Sequence, residues 1–318
     1  METIRKSPGT GIALEAMAVF CLALAIRLID LGHGYGGNEL FHMLAARSWL
    51  DEGTFRVAHG IYDRNSEFTV LLAWLTRVFG EGPMVGRLPA VIAGSLLPVA
   101  LFAWCRMSVG RTAGWFAAIL LCVCPLAITM SQWVRVYAIH ALAFFLGAAA
   151  VHVLLTATLS RRSAWLIGTA GAFFLALAMY LHYLAVVGLG GLLLWAIFER
   201  RSALKSLAGR VLQTRARRAS TLFVIVAITG LLILSGGIET LLAAFVDLQP
   251  QAADKQYDYL YYHRWLLEQY PLLWGATPVV LIVAIARKPG FGCFCTSIFL
   301  TVFIVYVFAS RKWLRYLY

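Results

Sequence analysis

Long apolar runs alternate along this chain with short polar segments, and most of the runs are long enough to cross a bilayer, which takes about 20 apolar residues. The run 163–198 is too long for one span and contains the polar step Tyr180-Leu181-His182-Tyr183, so we divide it into two spans. The other predicted spans are 12–29, 88–105, 113–130, 138–159, 221–235, 272–286 and 293–309. The pattern therefore predicts an all-α, polytopic transmembrane protein with about nine spans.

Two polar segments stand out from this pattern, at 31–87 and 236–271. The first brings carboxylates, amides, imidazoles and guanidiniums together between apolar runs. Within it, the pattern at 39–50 predicts an amphipathic helix on the membrane surface with Asn38 as its N-cap. The apolar stretch 67–79 is too short to cross a membrane comfortably. We therefore interpret both polar segments as large loops outside the bilayer.

The charges indicate how the helices are oriented in the membrane. If Arg5 and Lys6 lie on the inner side, alternating spans place an excess of Lys and Arg on that side and most acidic residues on the other. This is the positive-inside pattern. We therefore expect a multi-pass protein of the plasma (inner) membrane with a cytoplasmic N-terminus and both large loops outside. The same distribution explains the net charge of +12 without nucleic acid as a partner.

The composition agrees with a membrane protein, since 61% of the residues are hydrophobic and the mean hydropathy is +0.78. Soluble domains are closer to half apolar. The six cysteines lie in or at the ends of apolar runs, so we predict small core residues and no disulfide framework. No internal repeat or linker divides the chain, and we treat 1–318 as a single membrane domain.

Several short motifs follow one another in a recognisable order. They are Asn38-Glu39-Leu40-Phe41-His42, Arg87-Leu88-Pro89 with Gly94, Gly110-Arg111, Pro125 and Arg135-Val136-Tyr137-Ala138. In this order and topology the chain resembles the integral-membrane GT-C glycosyltransferases, in particular the family 39-like branch of protein mannosyltransferases and aminoarabinose transferases. The resemblance covers roughly 30–160 well and the rest loosely. It implies a hexosyl- or pentosyltransferase that takes a sugar from a polyprenyl-phosphate donor and passes it to an acceptor outside the membrane.

The resemblance departs from the family at the position of the catalytic acid. Relatives usually begin the first outer loop with Asp-Glu, and the Asp is the catalytic carboxylate; the matching pair here is Asn38-Glu39. An amide cannot act as a base, so either Glu39 supplies the carboxylate, with Asp63 as the next candidate, or the protein is a weak or inactive relative that binds a lipid-linked sugar. The structural alternative is that Asn38 only caps the helix and that Glu39 is only favoured by the helix dipole. Glu39 and His42 also have the i, i+3 spacing of a local metal or acid–base pair.

The resemblance assigns further residues to a metal ion and to the lipid phosphate. Asp63-Arg64 matches an acidic–basic pair whose acid lies near a divalent metal ion, Mg, Mn or Zn, and whose base binds the phosphate. Carboxylate oxygens and the guanidinium fork suit these two partners. His263-Arg264 resembles a His and an Arg that serve the same two ligands. An exposed salt bridge is the alternative for Asp63-Arg64.

The remaining candidates would bind the donor. His182 competes with His263 as the functional imidazole, Tyr316 matches a Tyr near the carrier phosphate, and we interpret Arg135 as a phosphate-binding or structural residue. These further candidates are Arg135, Tyr137, His182, Tyr183, Arg315 and Tyr316. We expect them to converge with both loops on one outward-facing cavity.

These assignments predict an inverting displacement within a membrane-lipid environment. A carboxylate would activate the hydroxyl of a lipid, glycan or protein acceptor while arginines and a metal ion stabilise the departing phosphate. A transporter or flippase is the alternative class, but such proteins typically have broken helices and polar sites near the bilayer midplane. Relatives continue through more spans after the residues that match Arg315-Tyr316, so we also expect the chain to be truncated.

Overall fold

The computed structural model describes residues 8–58, 60–62, 64–199 and 258–308. Asp63, Arg315, Tyr316 and the predicted span 221–235 lie outside these residues, as does the side chain of Asn38. The helices are α1 (Pro8–Leu28), α2 (Gly37–Glu52), α3 (Ser66–Phe79), α4 (Pro83–Ser108), α5 (Arg111–Cys122), α6 (Pro125–Ser131), α7 (Tyr137–Thr156), α8 (Arg161–Leu181), α9 (Ala185–Glu199), α10 (Tyr261–Gln269), α11 (Pro271–Arg287) and α12 (Pro289–Phe308). The strands β1 (Arg56–Val57) and β2 (Gly60–Ile61) form one antiparallel hairpin.

The predicted multi-pass helical architecture is confirmed. Five helices, α1, α4, α7, α8 and α12, are long and apolar enough to cross a membrane, and the described residues contain up to seven spans if each of two bent pairs is counted as one. Helix α9, with 15 residues, is shorter than these. The exact number of nine spans stays a prediction, because the span 221–235 is not among the described residues.

One of the predicted spans is interrupted at a proline, and a second bend separates a predicted span from the loop before it. The span predicted at 113–130 consists of α5 and α6, which meet at 62°. Pro125 begins α6, and the preceding Cys124 has the extended backbone that a following proline imposes. The pair α10 and α11 is bent by 112° at Tyr270, immediately before Pro271. A hydropathy pattern records apolar length and therefore missed the bend within 113–130, whereas α10 lies in the predicted loop 236–271.

The described residues group into two compact units. Unit 1 comprises 8–150 and 165–182, which hold α1 to α6 with most of α7 and α8. Unit 2 comprises 151–164, 183–199 and 258–308, which hold α9 to α12. The interpretation of 1–318 as a single domain stays a prediction.

Small residues allow close helix packing in unit 1. Helix α1 packs against α4 and α5 through a core that contains Val19, Phe102 and Ala118. Gly94 of α4 faces Ser131 so closely that an added Cβ would lie 2.3 Å from the Ser131 Cβ. Only a residue without a side chain fits there, which explains why the motif needs a glycine at this position.

Helices α2 and α3 and the hairpin β1–β2 form what we call the surface layer of unit 1. Helix α2 packs on α3 around Met43, Phe68 and Leu72, and Val134 and Val136 from the turn before α7 complete this core. The hairpin pairs Arg56 with Ile61 and Val57 with Gly60. The surface layer lies within the predicted first loop, 31–87. The hairpin in it was not anticipated from the sequence.

Unit 2 is organised by α9 and α12. Gly191 of α9 lies against the backbone of α12, where an added Cβ would be 2.8 Å from the Ile298 Cα. The Trp195 indole N–H donates to the Gly290 carbonyl oxygen at 3.2 Å. Tyr262 of α10 is buried with Phe303 of α12 in a second core of this unit.

Candidate functional site

Helix α2 begins two residues earlier than the pattern suggested, at Gly37 and not at Glu39. Its N-cap is Gly36, so the prediction that Asn38 caps the helix is wrong, and Asn38 lies within the first turn. Glu39 is the third helical residue, and its carboxylate accepts a hydrogen bond from the Gly36 backbone N–H at 2.7 Å. This hydrogen bond satisfies a backbone N–H that the start of a helix otherwise leaves unpaired. The Glu39 side chain therefore stabilises the start of α2, as in half of a capping box.

Glu39 forms a buried ion pair with Arg87 at the start of α4. Arg87 Nε donates to Glu39 Oε1 at 3.1 Å and Nη2 donates to Oε2 at 3.0 Å, so the guanidinium fork holds both carboxylate oxygens. The side chains of Arg87 and Glu39 are 0% and 6% exposed. This is the bidentate geometry in which a charge-assisted hydrogen bond is strongest.

The other donors of Arg87 organise the chain after α1. Nη1 donates to the carbonyl oxygens of Leu31 and His33, both at 2.7 Å, and Nη2 donates to that of Gly34 at 3.0 Å. All five N–H groups of the guanidinium are therefore engaged. The Arg87 guanidinium also lies 5.9 Å from the centre of the Tyr35 ring. One side chain of α4 thus fixes the path of residues 31–35.

The carboxylate of Glu39 is fully engaged as well. Each oxygen accepts two hydrogen bonds, since Oε1 also receives the Val134 backbone N–H at 2.9 Å. Burial raises the pKa of Glu39, but the hydrogen bonds from Arg87, Gly36 and Val134 outweigh it and hold the pKa below its usual range. A general base needs a lone pair that faces the acceptor hydroxyl. This environment disfavours the predicted role of Glu39 as the base, which stays a prediction.

His42 has partners of its own and does not contact Glu39 as the i, i+3 spacing suggested. Its Nδ1 lies 3.1 Å from Thr69 Oγ1 of α3, and its Nε2 lies 3.2 Å from the Tyr62 hydroxyl after β2. Arg135 Nη1 donates to Tyr62 OH at 3.2 Å and lies 3.4 Å from His42 Nε2. The structure thereby gathers α2, the end of the hairpin, α3 and the turn before α7 around one buried ring.

The electrostatics of His42 favour the neutral imidazole. Burial, followed by the positive charges of Arg135 and Arg64, lowers its pKa to about 3. His42 is therefore neutral and a weak base at physiological pH. The same observation puts two of the predicted phosphate-binding arginines, Arg64 and Arg135, near one imidazole. Sequence analysis had considered both residues for the phosphate and had connected neither with His42.

Other predicted residues of unit 1 lie at the start of α7 and at the end of α8. The ring centre of His182 is 6.1 Å from that of Tyr137 and 5.5 Å from that of His140. The Tyr180 hydroxyl hydrogen-bonds to Glu67 at the start of α3 and lowers the pKa of that carboxyl. The turn after Leu181 that was predicted to carry His182 is present between α8 and α9.

The predicted residues of unit 2 have local partners. His263 lies edge-on to the rings of Trp274 and Phe303, with ring centres 5.2 and 4.9 Å away. Arg264 forms an ion pair with Asp258. Tyr183, at the start of this unit, is 43% exposed. The predicted roles of these residues in donor binding stay predictions.

Metal binding was assigned to Asp63 and His263. Among the described residues, no three His, Cys, Asp or Glu side chains form a group that could hold a metal ion, and Asp63 lies outside them. The aromatic surroundings of His263 supply no oxygen ligand of the kind that Mg²⁺ or Mn²⁺ prefers. The metal site assigned to Asp63 and His263 stays a prediction.

Three residues of this site had been missed or underrated. Arg87 was noted only as part of a motif, because the pattern placed it in the loop before the predicted span 88–105, whereas it lies inside α4. Tyr62 and Thr69 were not singled out, because a hydroxyl in a polar loop carries no distinguishing pattern. Only the folded chain shows that both contact His42.

More than half of the chain matches a known protein family. Residues 68–235, more than half of the chain, match the family described as dolichyl-phosphate-mannose-protein mannosyltransferase. The chain belongs to this mannosyltransferase family. A comparison with curated proteins gives no match.

Two solved structures have a fold similar to that of this member of the mannosyltransferase family. The chain is similar to ArnT from Cupriavidus metallidurans in the apo state, with 17% sequence identity and a TM-score of 0.66 over 98% of this chain. It is also similar to the same protein bound to undecaprenyl phosphate, with 16% identity and a TM-score of 0.67 over 97% of this chain. The chain spans 57% of the length of either ArnT chain. The predicted GT-C fold is confirmed.

Proposed function

We propose that this protein transfers a sugar from a polyprenyl-phosphate donor to an acceptor at the outer face of the plasma membrane, with its N-terminus in the cytoplasm. Family membership and the likeness to ArnT, one structure of which is bound to undecaprenyl phosphate, support this class of reaction. The observation that assigns this function to residues is that Arg135 contacts His42 and that the charge of Arg64 acts on the same ring.

The Arg135 guanidinium contacts the neutral imidazole of His42, and the charge of Arg64 acts on the same ring, so this environment favours an anion. An Arg can hold two phosphate oxygens through parallel hydrogen bonds, and its charge is not lost at any physiological pH. A phosphate that leaves the sugar gains negative charge, which such groups stabilise when they are positioned in advance. Arg64 and Arg135 therefore take the donor phosphate in this proposal.

The acceptor also needs a base, and the described side chains narrow the choice. Asn38 is an amide, Glu39 is engaged by four donors, and His42 is too weak a base. We assign the base to Asp63, which adjoins Arg64 in sequence. The acceptor oxygen attacks the anomeric carbon, the bond from that carbon to the phosphate oxygen breaks, the phosphate departs on its carrier, and the acceptor proton passes to the Asp63 carboxylate.

A second candidate function is binding of a lipid-linked sugar without transfer. Asn38 favours it, since relatives have the catalytic Asp at the matching position. The two functions share the phosphate site and differ in turnover.

The test uses the full chain in lipid nanodiscs. Binding of undecaprenyl phosphate is measured first, and transfer from polyprenyl-phosphate hexose and pentose donors to cell-envelope lipid and glycan acceptors second. Binding with transfer supports the enzyme, and binding without transfer supports the second candidate. Absence of binding overturns both.

The site assignment has a matched control. Arg64→Gln and Arg135→Gln should each weaken undecaprenyl phosphate binding at least about tenfold, the loss expected for one charge-assisted hydrogen bond. Arg47→Gln should have no such effect, because Arg47 is exposed on α2 and pairs with Asp51 and Glu81. Equal affinities in all three variants would refute the phosphate site.

A further inference from the structure

We propose that His42 is a positioning residue: it accepts hydrogen bonds at Nε2 and thereby fixes Tyr62 and Arg135 in the orientation that receives the donor phosphate. This inference rests on the proposed function for the identity of the ligand. The arrangement of the three side chains is a property of the fold and can be tested without it.

The direction of each hydrogen bond follows from one end of the network. Thr69 Oγ1 donates to the Asn65 carbonyl oxygen at 3.4 Å, so its lone pairs remain to accept. His42 Nδ1, 3.1 Å away, is then the protonated ring nitrogen and the donor. In a neutral imidazole the other nitrogen, Nε2, must be an acceptor.

The other end of the network matches this assignment. Arg135 has only donors, and its Nη1 donates to the Tyr62 hydroxyl oxygen at 3.2 Å. The Tyr62 hydroxyl can therefore direct its own proton to His42 Nε2, also 3.2 Å away. Arg135 Nη1 approaches the same nitrogen at 3.4 Å. The chain of donors thus runs from Arg135 through Tyr62 to His42, then through Thr69 to the backbone.

A charged His42 would break this order. An imidazolium has a proton on both nitrogens, so Nε2 would lose its role as acceptor and face the Tyr62 proton and the Arg135 guanidinium. Repulsion from Arg135 would add to the mismatch. The hydrogen-bonding pattern therefore requires the neutral form with the proton on Nδ1.

Aromatic packing holds the planes of these rings. The His42 ring is perpendicular to those of Tyr62 and Phe68, with ring centres 4.9 and 5.3 Å apart. Phe41 stacks on the Tyr62 ring, with ring centres 6.0 Å apart. His42 itself is completely buried. It cannot reach a substrate directly, and its effect must pass through the two side chains that it orients.

Two amide substitutions distinguish the roles of the two ring nitrogens of His42. In His42→Asn the amide group lies near the former Nδ1, so the Thr69 contact is kept and the acceptor for Tyr62 is lost. In His42→Gln the amide group reaches the former Nε2, so an acceptor for Tyr62 is kept and the Thr69 contact is lost. Each variant removes one hydrogen bond of 3.1 or 3.2 Å, and His42→Asn also loses the 3.4 Å contact of Arg135. Both should therefore lower the melting temperature by comparable amounts.

Donor binding should separate the variants where stability does not. We expect His42→Asn and Tyr62→Phe to weaken undecaprenyl phosphate binding on the order of tenfold, and His42→Gln to recover most of the wild-type affinity. If Asn and Gln at position 42 give the same affinity, His42 has a merely structural role and the inference fails.

A second measurement keeps the inference testable if the proposed function is wrong. Absence of wild-type binding to undecaprenyl phosphate would overturn the function, and the tautomer of His42 would then decide the inference. In protein labelled with ¹⁵N-histidine, the His42 signals are identified among the seven histidines by their loss in His42→Gln. A neutral ring protonated on Nδ1 at pH 7, with an Nε2 shift that changes in Tyr62→Phe, is expected. An imidazolium or an Nε2-protonated ring overturns it.

Discussion

Arg87 and Glu39 are 48 residues apart in sequence, yet they meet through two parallel hydrogen bonds of 3.1 and 3.0 Å and are almost completely removed from solvent. A buried ion pair is not a large source of net stability, because both charges lose their hydration. Removing one partner is costly, however, since the other charge is left buried and uncompensated. The pair therefore makes both residues essential to the fold around them.

Replacing Glu39 with Gln should destabilise the protein by about 3–5 kcal/mol, the usual cost of breaking a buried pair from one side. The amide cannot accept all four hydrogen bonds that the carboxylate receives. Thermal unfolding in detergent micelles measures the change. The control is Glu81→Gln, which removes one exposed partner of Arg47 and should cost less than about 1 kcal/mol. A normal melting temperature for Glu39→Gln, with turnover abolished, would instead restore Glu39 as a candidate base.

Stability should depend on pH in two windows. The pKa of His42 is lowered by folding, so the unfolded chain binds the proton more readily, and its contribution is lost as the pH falls from about 6.5 towards about 3. The pKa of Glu39 is also lowered, so its contribution is present above about pH 4.3, the unfolded value, and is lost as the pH falls through the folded value. Melting temperatures between pH 7 and 4 should decline in the wild type.

The variant His42→Gln isolates the first window. Because glutamine does not titrate, this variant should have a flatter stability profile between about pH 6.5 and 4.5. Below that range its stability should still fall, since Glu39 is unchanged. Parallel profiles for wild type and variant would show that His42 is not held neutral by the fold.

Gly94→Ala should destabilise the helix packing of unit 1 by about 1–3 kcal/mol, the range for an overpacked core. The new methyl group would lie 2.3 Å from the Ser131 Cβ and 3.2 Å from Arg27 Nε. Gly11→Ala in α1 is the matched control, as no atom lies within 4 Å of its added Cβ. Melting temperatures of the two variants should differ in sign or size; an equal effect would contradict the close contact.

Removing one carboxylate and adding another should have different effects on turnover. Asp63→Asn should reduce transfer by about 10²- to 10⁴-fold, the usual contribution of a general base. Asn38→Asp, which restores the carboxylate of the family, should preserve or raise transfer. Both are measured with a radiolabelled polyprenyl-phosphate sugar. If the wild type is inactive and Asn38→Asp alone creates activity, the protein is a binder that has lost its catalytic acid.

The sequence predicted the helices better than their ends and bends. Apolar length defined α1, α4, α7, α8 and α12, since a bilayer span leaves a strong compositional signal. It did not reveal the break before Pro125, because an apolar residue on either side of a bend has the same hydropathy. The start of α2 was misplaced because Asn is a favourable N-cap, whereas here the Glu39 side chain satisfies the Gly36 N–H.

The site was predicted in its residue types and less well in its partners. The motif order indicated Arg64, Arg135 and Glu39, but the pairing of Glu39 with Arg87 and of His42 with Tyr62 and Thr69 depends on contacts between distant segments. Such contacts are set by packing of α2 against α3 and α4, which no local pattern specifies.

The five hydrogen bonds of Arg87 also determine how this region can open. Its guanidinium holds the carbonyls of Leu31, His33 and Gly34, and through Glu39 it is connected to the amides of Gly36 and Val134. Separating any one of these segments leaves a charge or several polar groups without partners. Gly36 and Val134 are 134 − 36 = 98 residues apart in sequence. Their amide hydrogens nevertheless belong to one cooperative unit and should exchange with solvent in a single event, at the same free energy of opening.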